Sequence, residues 1–196
     1  MSMNQQISFK QYRAIDLSIL TGLMAVSQLV IHLAMSYWQV EQTGYIVTGY
    51  IVSPVAAVVA LVMMRWNLWA AIPAVVGGVI LPLLSNGTME QVLIYSIGNL
   101  LSAAAMLYLK LLGKERVRAN AVLTLVFAVL VQLLMQFGRA GVALLMQHPL
   151  PACWDFITTD VMSILFTLVI IWIVRRVEGL FEDQKHYLLR IQQERS

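Results

Sequence analysis

Charge is scarce in this sequence. Only 12% of the 196 residues are Asp, Glu, Lys or Arg, 60% are hydrophobic, and the mean hydropathy is +0.77. A water-soluble domain of this length needs far more charge to coat its surface, so the composition argues against an ordinary soluble fold and for a bilayer as solvent. Cysteine is almost absent: Cys153 stands alone, which excludes an internal disulfide. Catalytic motifs are missing as well. There is no Walker-type glycine loop, no HExxH, no CxxC and no GxSxG. The expectation is a protein that is not an enzyme and carries no cofactor. His32, His148 and His186 sit on separate segments without metal-ligand spacing, so no metal site is expected either.

What the sequence has in abundance is long apolar runs. A helix needs roughly 20 apolar residues to cross the hydrocarbon core, and six such runs are expected: 14–35, 45–64, 68–84, 91–109, 120–147 and 156–174. The predicted fold is an all-α integral membrane protein, a six-transmembrane-helix bundle. The breaks between the runs are polar or turn-forming: SYWQVEQTG, RWN, SNGTME, KLLGKERVR and HPLPACWD. The chain divides into a lead-in (1–13), a membrane domain (14–174) and an amphipathic tail (175–196).

The basic residues support this layout. Lys10 and Arg13 precede the first run, Arg65 lies in the second turn, and Lys110, Lys114, Arg116 and Arg118 fill the fourth loop. Arg175, Arg176, Lys185, Arg190 and Arg195 follow the last run. With six crossings, all twelve fall on one side, and the positive-inside rule puts that side, with both termini, in the cytoplasm. Topology thus accounts for the basic balance without nucleic acid as a partner. The polar start is too long for the charged lip of a signal peptide, and no small-residue cleavage site follows the first apolar run. In the tail, Val177, Leu180, Phe181, Tyr187, Leu188 and Ile191 recur at mostly helical spacing. This predicts a helix on the inner membrane surface or a docking surface for a cytoplasmic partner.

Polar residues deep in the spans are few and expensive. Arg139, the thirteenth basic residue, lies about eight residues before the fifth run ends, roughly 12 Å deep at 1.5 Å per residue. Asp160 lies in the first turns of the sixth, and the two helices are antiparallel neighbours across a short loop. These residues are expected to pair with each other, to contact a solute, or both. Gln132, Gln136 and Arg139 share one helical face at i, i+4, i+7, which must face the bundle interior because lipid would reject it. Asn99 in the fourth run is a further buried hydrogen-bonding candidate. Trp38 and Trp154, with Tyr37, Glu41, Tyr45 and Glu90, fall in the outer loops. They fit an interfacial aromatic belt or a stacking lid over an outward cavity. Arg139 points to an anionic or carbonyl-bearing group on a solute, and the tryptophans to a ring. On the first run, Ala14, Ser18 and Gly22 are small and spaced by four, with Ala25 near the same stripe, which permits close approach of another helix.

The arrangement resembles the substrate-binding S-components of energy-coupling factor (ECF) vitamin transporters over nearly the whole chain. FKQYRAIDLSILTGLMAVSQLVIHLA resembles the family's first helix, with its basic lead-in and small-residue stripe. MMRWNLWAAIPAVVGGVILPLL resembles the turn and third helix, IGNLLSAAAM the fourth, and DVMSILFTLVIIWIVRRVEGL the sixth with its basic end. The resemblance implies capture of a small micronutrient in an outward cavity of a plasma-membrane protein, with a bacterial origin. It also implies partners: membrane lipid, a transmembrane coupling subunit and two ATPase subunits that drive release. The family's AxxxA docking motif maps onto Ala14, Ser18 and Gly22, which depart from it by reading AxxxSxxxG. Three other classes fit the composition: a membrane scaffold, a sensor whose output domain lies elsewhere, and an ion-coupled transporter. The shortage of deep acids counts against the last.

Overall fold

The computed structural model describes residues 9–42, 52–158, 160–177, 179–184 and 187, with side chains omitted for 38–42. Among these residues the chain is helical, with no strand. The first helix, α1, runs Phe9–Gln42. Helix α2 (Val55–Trp66) leads through a 3₁₀ turn, Asn67–Ala70, into α3 (Ala71–Leu84). Helix α4 (Met89–Asn99) passes through a 3₁₀ stretch, Leu100–Ala105, into α5 (Met106–Leu112). Then come α6 (Lys114–Ala119), α7 (Ala121–Leu145), α8 (Leu150–Thr158) and α9 (Val161–Arg175).

Several of these helices are long and apolar enough to cross a membrane. Five helical stretches qualify by length: Phe9–Tyr37, Val55–Leu84, Met89–Leu112, Ala121–Leu145 and Leu150–Arg175. The second is not one rod. Asn67 has φ 58°, a left-handed value that breaks an α-helix and that Asn tolerates better than most residues. A Cβ on Gly77 would lie 2.5 Å from Val55 Cγ2. In a straight helix these positions would be about 33 Å apart, so α2 and α3 fold back on each other as a hairpin.

The turns carry local chemistry that explains them. Thr88 and Gln91 form a reciprocal capping box at the start of α4, and the Asn120 side chain accepts from the Val122 and Leu123 amides at the start of α7. Both satisfy backbone donors that a helix start leaves unpaired. The sequence HPLPACWD, read as a loop, turns helical from Leu150, so Cys153 and Trp154 lie on α8. Proline is tolerated in a first helical turn because the amide it lacks has no partner there, which is where Pro151 sits.

Helix α2 is the centre of the bundle. All its residues except Val58 are buried, against Phe127, Val131 and Met135 of α7 and Ile171 of α9. Helices α1 and α9 present apolar faces outward instead, including Ile19, Leu23, Val26 and Val30 on α1 and Leu165, Val169 and Ile173 on α9. Such faces suit lipid as the neighbour.

One end of the bundle gathers the basic residues. Arg65 makes a bidentate contact with Asp16 (2.9 and 2.7 Å), and its guanidinium also donates to the Gly179 and Leu180 carbonyls. Lys114 Nζ donates to Asp183 (2.6 Å) and to the Met64 carbonyl (2.7 Å). Arg118 pairs with Glu182, and Arg175 donates to the Arg118 and Ala119 carbonyls. At the opposite end His148 meets Glu90 at 3.0 Å.

The start of the tail departs from the expected helix: residues 176, 177 and 179–183 are not helical, and Phe181 is buried, while residues 184 and 187 are helical. Leu188 and Ile191 lie outside the described residues. The carboxylates Glu182 and Asp183, each paired to a basic loop residue, draw the segment inward. Lys114→Ala should loosen it at a cost of about 1 kcal/mol, the range for a partly exposed pair with one added hydrogen bond. The check is faster limited proteolysis of the C-terminal segment.

Candidate functional site

Two apolar clusters meet on α7. One contains Val131 and Met135, the other Ala143 with Leu81, Ile94, Tyr95 and Cys153. Between them lies a polar layer of Gln132, Gln136, Arg139, Asp160 and Asn99, each at most 1% exposed. The inward orientation expected for the Gln132–Gln136–Arg139 face is what the helix adopts. Counted from Leu145, the layer spans depths of about 9 to 20 Å along α7.

Arg139 Nη1 donates to Asp160 Oδ2 at 2.6 Å, and Arg139 Nε to Asn99 Oδ1 at 2.8 Å. Its guanidinium carbon sits 4.5 Å from the centroid of the Tyr95 ring, within the range of a cation–π contact. Asn99 Nδ2 in turn donates to the Ala74 carbonyl at 2.9 Å, fixing which way its amide points. Gln132 Nε2 donates to Asp160 Oδ2 at 2.7 Å. The charge of Arg139 is thus met inside the protein. Of the roles anticipated for Arg139 and Asp160, the internal ion pair is the one these contacts show.

The layer is incompletely bonded. Gln132 Oε1, both amide atoms of Gln136 and Asp160 Oδ1 are buried and have no hydrogen-bond partner among the described residues. Native proteins leave few such atoms, and each one left unsatisfied costs about 1–3 kcal/mol. Asp160 reaches both Gln132 and Arg139, two helical turns apart, and Gln136 lies on the intervening turn of α7.

Local backbone explains how these groups converge. Asp160 is not inside a helix, as expected, but is the N-cap of α9, and its side chain caps nothing. An N-cap Asp ordinarily accepts from its own helix, worth about 0.5–2 kcal/mol; here the carboxylate turns to α7 instead. On the facing side, the 3₁₀ stretch begins directly after Asn99. Irregular backbone at membrane depth is tolerated where protein or water covers it, and both irregularities adjoin the polar layer. Close helix crossing supplies the rest. A Cβ on Gly98 would lie 2.6 Å from Arg139 Cα, and one on Gly138 would strike the Gly98 carbonyl. The two glycines bring α4 and α7 near enough for the Asn99–Arg139 bond.

The other expected site residues lie elsewhere. Trp154 is 62% exposed on α8 and takes no part in the layer. The Trp38 and Glu41 side chains are not described, and Tyr45 lies outside the described residues. Tyr95 was missed, though it precedes Asn99 by one helical turn on the same face, which is a readable signal. Also missed was a buried relay, Ser53 Oγ to Gln28 Oε1 (2.8 Å) and Ser53 N to Ser163 Oγ (3.0 Å), which ties α1 and the lead into α2 to α9 just beyond Asp160.

The small-residue stripe forms a second feature. Ala14, Ser18, Gly22 and Ala25 line an open groove of about 600 Å³ between α1 and α3, with Trp69 and Ile72 opposite. Nothing lies within 4 Å of a Cβ placed on Gly22, so none of the described residues packs onto the stripe there. Arg13 stacks over Trp69 at 4.1 Å at one end of the groove.

No protein-family model, curated protein or solved structure matches this chain.

Proposed function

We propose that this chain is the membrane-embedded, solute-binding subunit of an ECF-type importer. In this reading it crosses the plasma membrane six times, with the α2–α3 hairpin supplying two crossings, and its basic end and both termini face the cytoplasm. It captures a small micronutrient from outside and depends on a separate coupling subunit and two ATPases for release. The observation that carries the reading is the buried polar layer with unpartnered atoms on Gln132, Gln136 and Asp160. A bundle built only for shape has no use for such atoms, whereas a binding site needs polar groups that a ligand completes. The open stripe at Ala14, Ser18 and Gly22 supports a docking helix from the coupling subunit, since small side chains let backbones approach. Pairing of Arg139 with Asp160 is what favours the scaffold alternative, in which the layer only locks helices together.

One experiment separates the two readings. Gly22→Leu fills the groove without touching the polar layer. A carrier variant should retain its solute after purification in detergent yet lose cellular uptake and co-purification with the coupling subunit. A scaffold would retain no solute in either form, and that result would end the importer reading.

A further inference from the structure

Resting on the reading of the polar layer as a solute site, we infer that the solute is electrically neutral and presents at least two N–H or O–H donors beside one acceptor on a compact polar edge. The unpartnered atoms specify this. Asp160 Oδ1 and Gln132 Oε1 are acceptors only, and the second is fixed in that role because Gln132 Nε2 already donates to Asp160 Oδ2. Gln136 contributes an acceptor oxygen and a donor NH₂ whichever way its amide is turned, because both its atoms lack partners. The layer therefore asks for donors at two fixed points and for an amide-like donor–acceptor pair between them. An amide, a lactam or an amino-substituted ring edge has this pattern.

Competing classes fit worse. A carboxylate or phosphate would meet the acceptor oxygens of Asp160, Gln132 and Gln136, while the one nearby cation, Arg139, is already held by Asp160 and Asn99. An inorganic cation would satisfy the oxygens but leave the Gln136 N–H groups bare. It would also sit beside a guanidinium 2.6 Å from the same carboxylate, where like charges repel. Burial at 1% exposure or less makes each mismatch costly, because bulk water does not reach these atoms.

The test is mass spectrometry of solute released from the purified full-length protein, grown in rich medium and analysed in H₂O and in D₂O. The expected result is one solute per protein that is uncharged at neutral pH and gains at least two deuterons on exchange. Gln136→Leu breaks no bond that the protein itself makes, so it should fold normally and lose at least tenfold in solute occupancy. A released solute that is anionic, or that exchanges fewer than two hydrogens, overturns the inferred class and leaves the carrier reading standing. Unchanged occupancy in Gln136→Leu overturns the placement at this layer. No solute in wild-type protein, the case of ordered water alone, overturns the class and the carrier reading together.

Discussion

Arg139→Ala should destabilise the protein by about 3–5 kcal/mol, the cost of leaving one member of a buried ion pair without its partner. The side chain is 1% exposed and is among the largest fully buried ones in the protein. Its loss would leave Asp160 with only the Gln132 amide as a donor and deprive Asn99 Oδ1 of its bond. Asp160→Ala should cost a similar amount, because a guanidinium would then remain buried with only Asn99 and the Tyr95 face beside it. The pair Arg139→Met with Asp160→Leu should cost far less than the sum, since well-packed apolar replacements of a buried pair are often close to neutral. Unfolding in detergent of wild type, Arg139→Met, Asp160→Leu and the pair completes the cycle, and additive losses would show that the two residues are not coupled. Solute binding by Arg139→Ala would report this structural damage, which is why Gln136 is the more informative position for the site.

How much of this was legible beforehand differs from residue to residue. The inward face of α7 followed from three polar residues at helical spacing, because lipid rejects such a stripe whatever the partner helix is. The partnership of Arg139 with Asp160 was legible as one of two options, because the short 146–149 connection sets the end of α7 beside the start of the last span. What the pattern does not encode is where a helix breaks. Hydropathy reads DVMSILFTLVII as one continuous span, whereas Asp160 lies outside α9 because its carboxylate is taken by α7. The 3₁₀ stretch after Asn99 is likewise invisible in LLSAAA, whose residues all favour ordinary helix or tolerate it. The start of the tail differs for a related reason: Phe181 fits an amphipathic helix by spacing, yet Glu182 and Asp183 bind Arg118 and Lys114 of α6, far away in sequence. Long-range charge pairing overrides periodicity in both places. The Asp16–Arg65 contact was open to prediction, since both residues fall at the basic end of neighbouring spans, but nothing in sequence chooses Asp16 over other acids as the partner.

The glycines of α7 allow one substitution to be tried with opposite expected signs. Gly138→Ala should destabilise the bundle by about 3 kcal/mol, at the upper end of overpacking costs. Its added methyl would strike the Gly98 carbonyl, and backbone on a helix cannot rotate aside as a side chain does. Relief requires α4 and α7 to separate, which stretches the Arg139 Nε–Asn99 Oδ1 bond of 2.8 Å and loosens the polar layer with it. Gly141→Ala, one turn further along the same helix, meets nothing within 4 Å. There the ordinary preference of a helix for Ala over Gly, up to about 1 kcal/mol, should make the protein slightly more stable. Helix and residue change are the same, but Gly138 is buried and Gly141 exposed, so the difference between the two reports what Gly138 meets in the bundle, the α4–α7 contact. Thermal unfolding in one detergent, with solute occupancy measured in parallel, checks both. If Gly138→Ala unfolds like Gly141→Ala, the helices do not cross at Gly98, and Asn99 is not held against Arg139 by that approach.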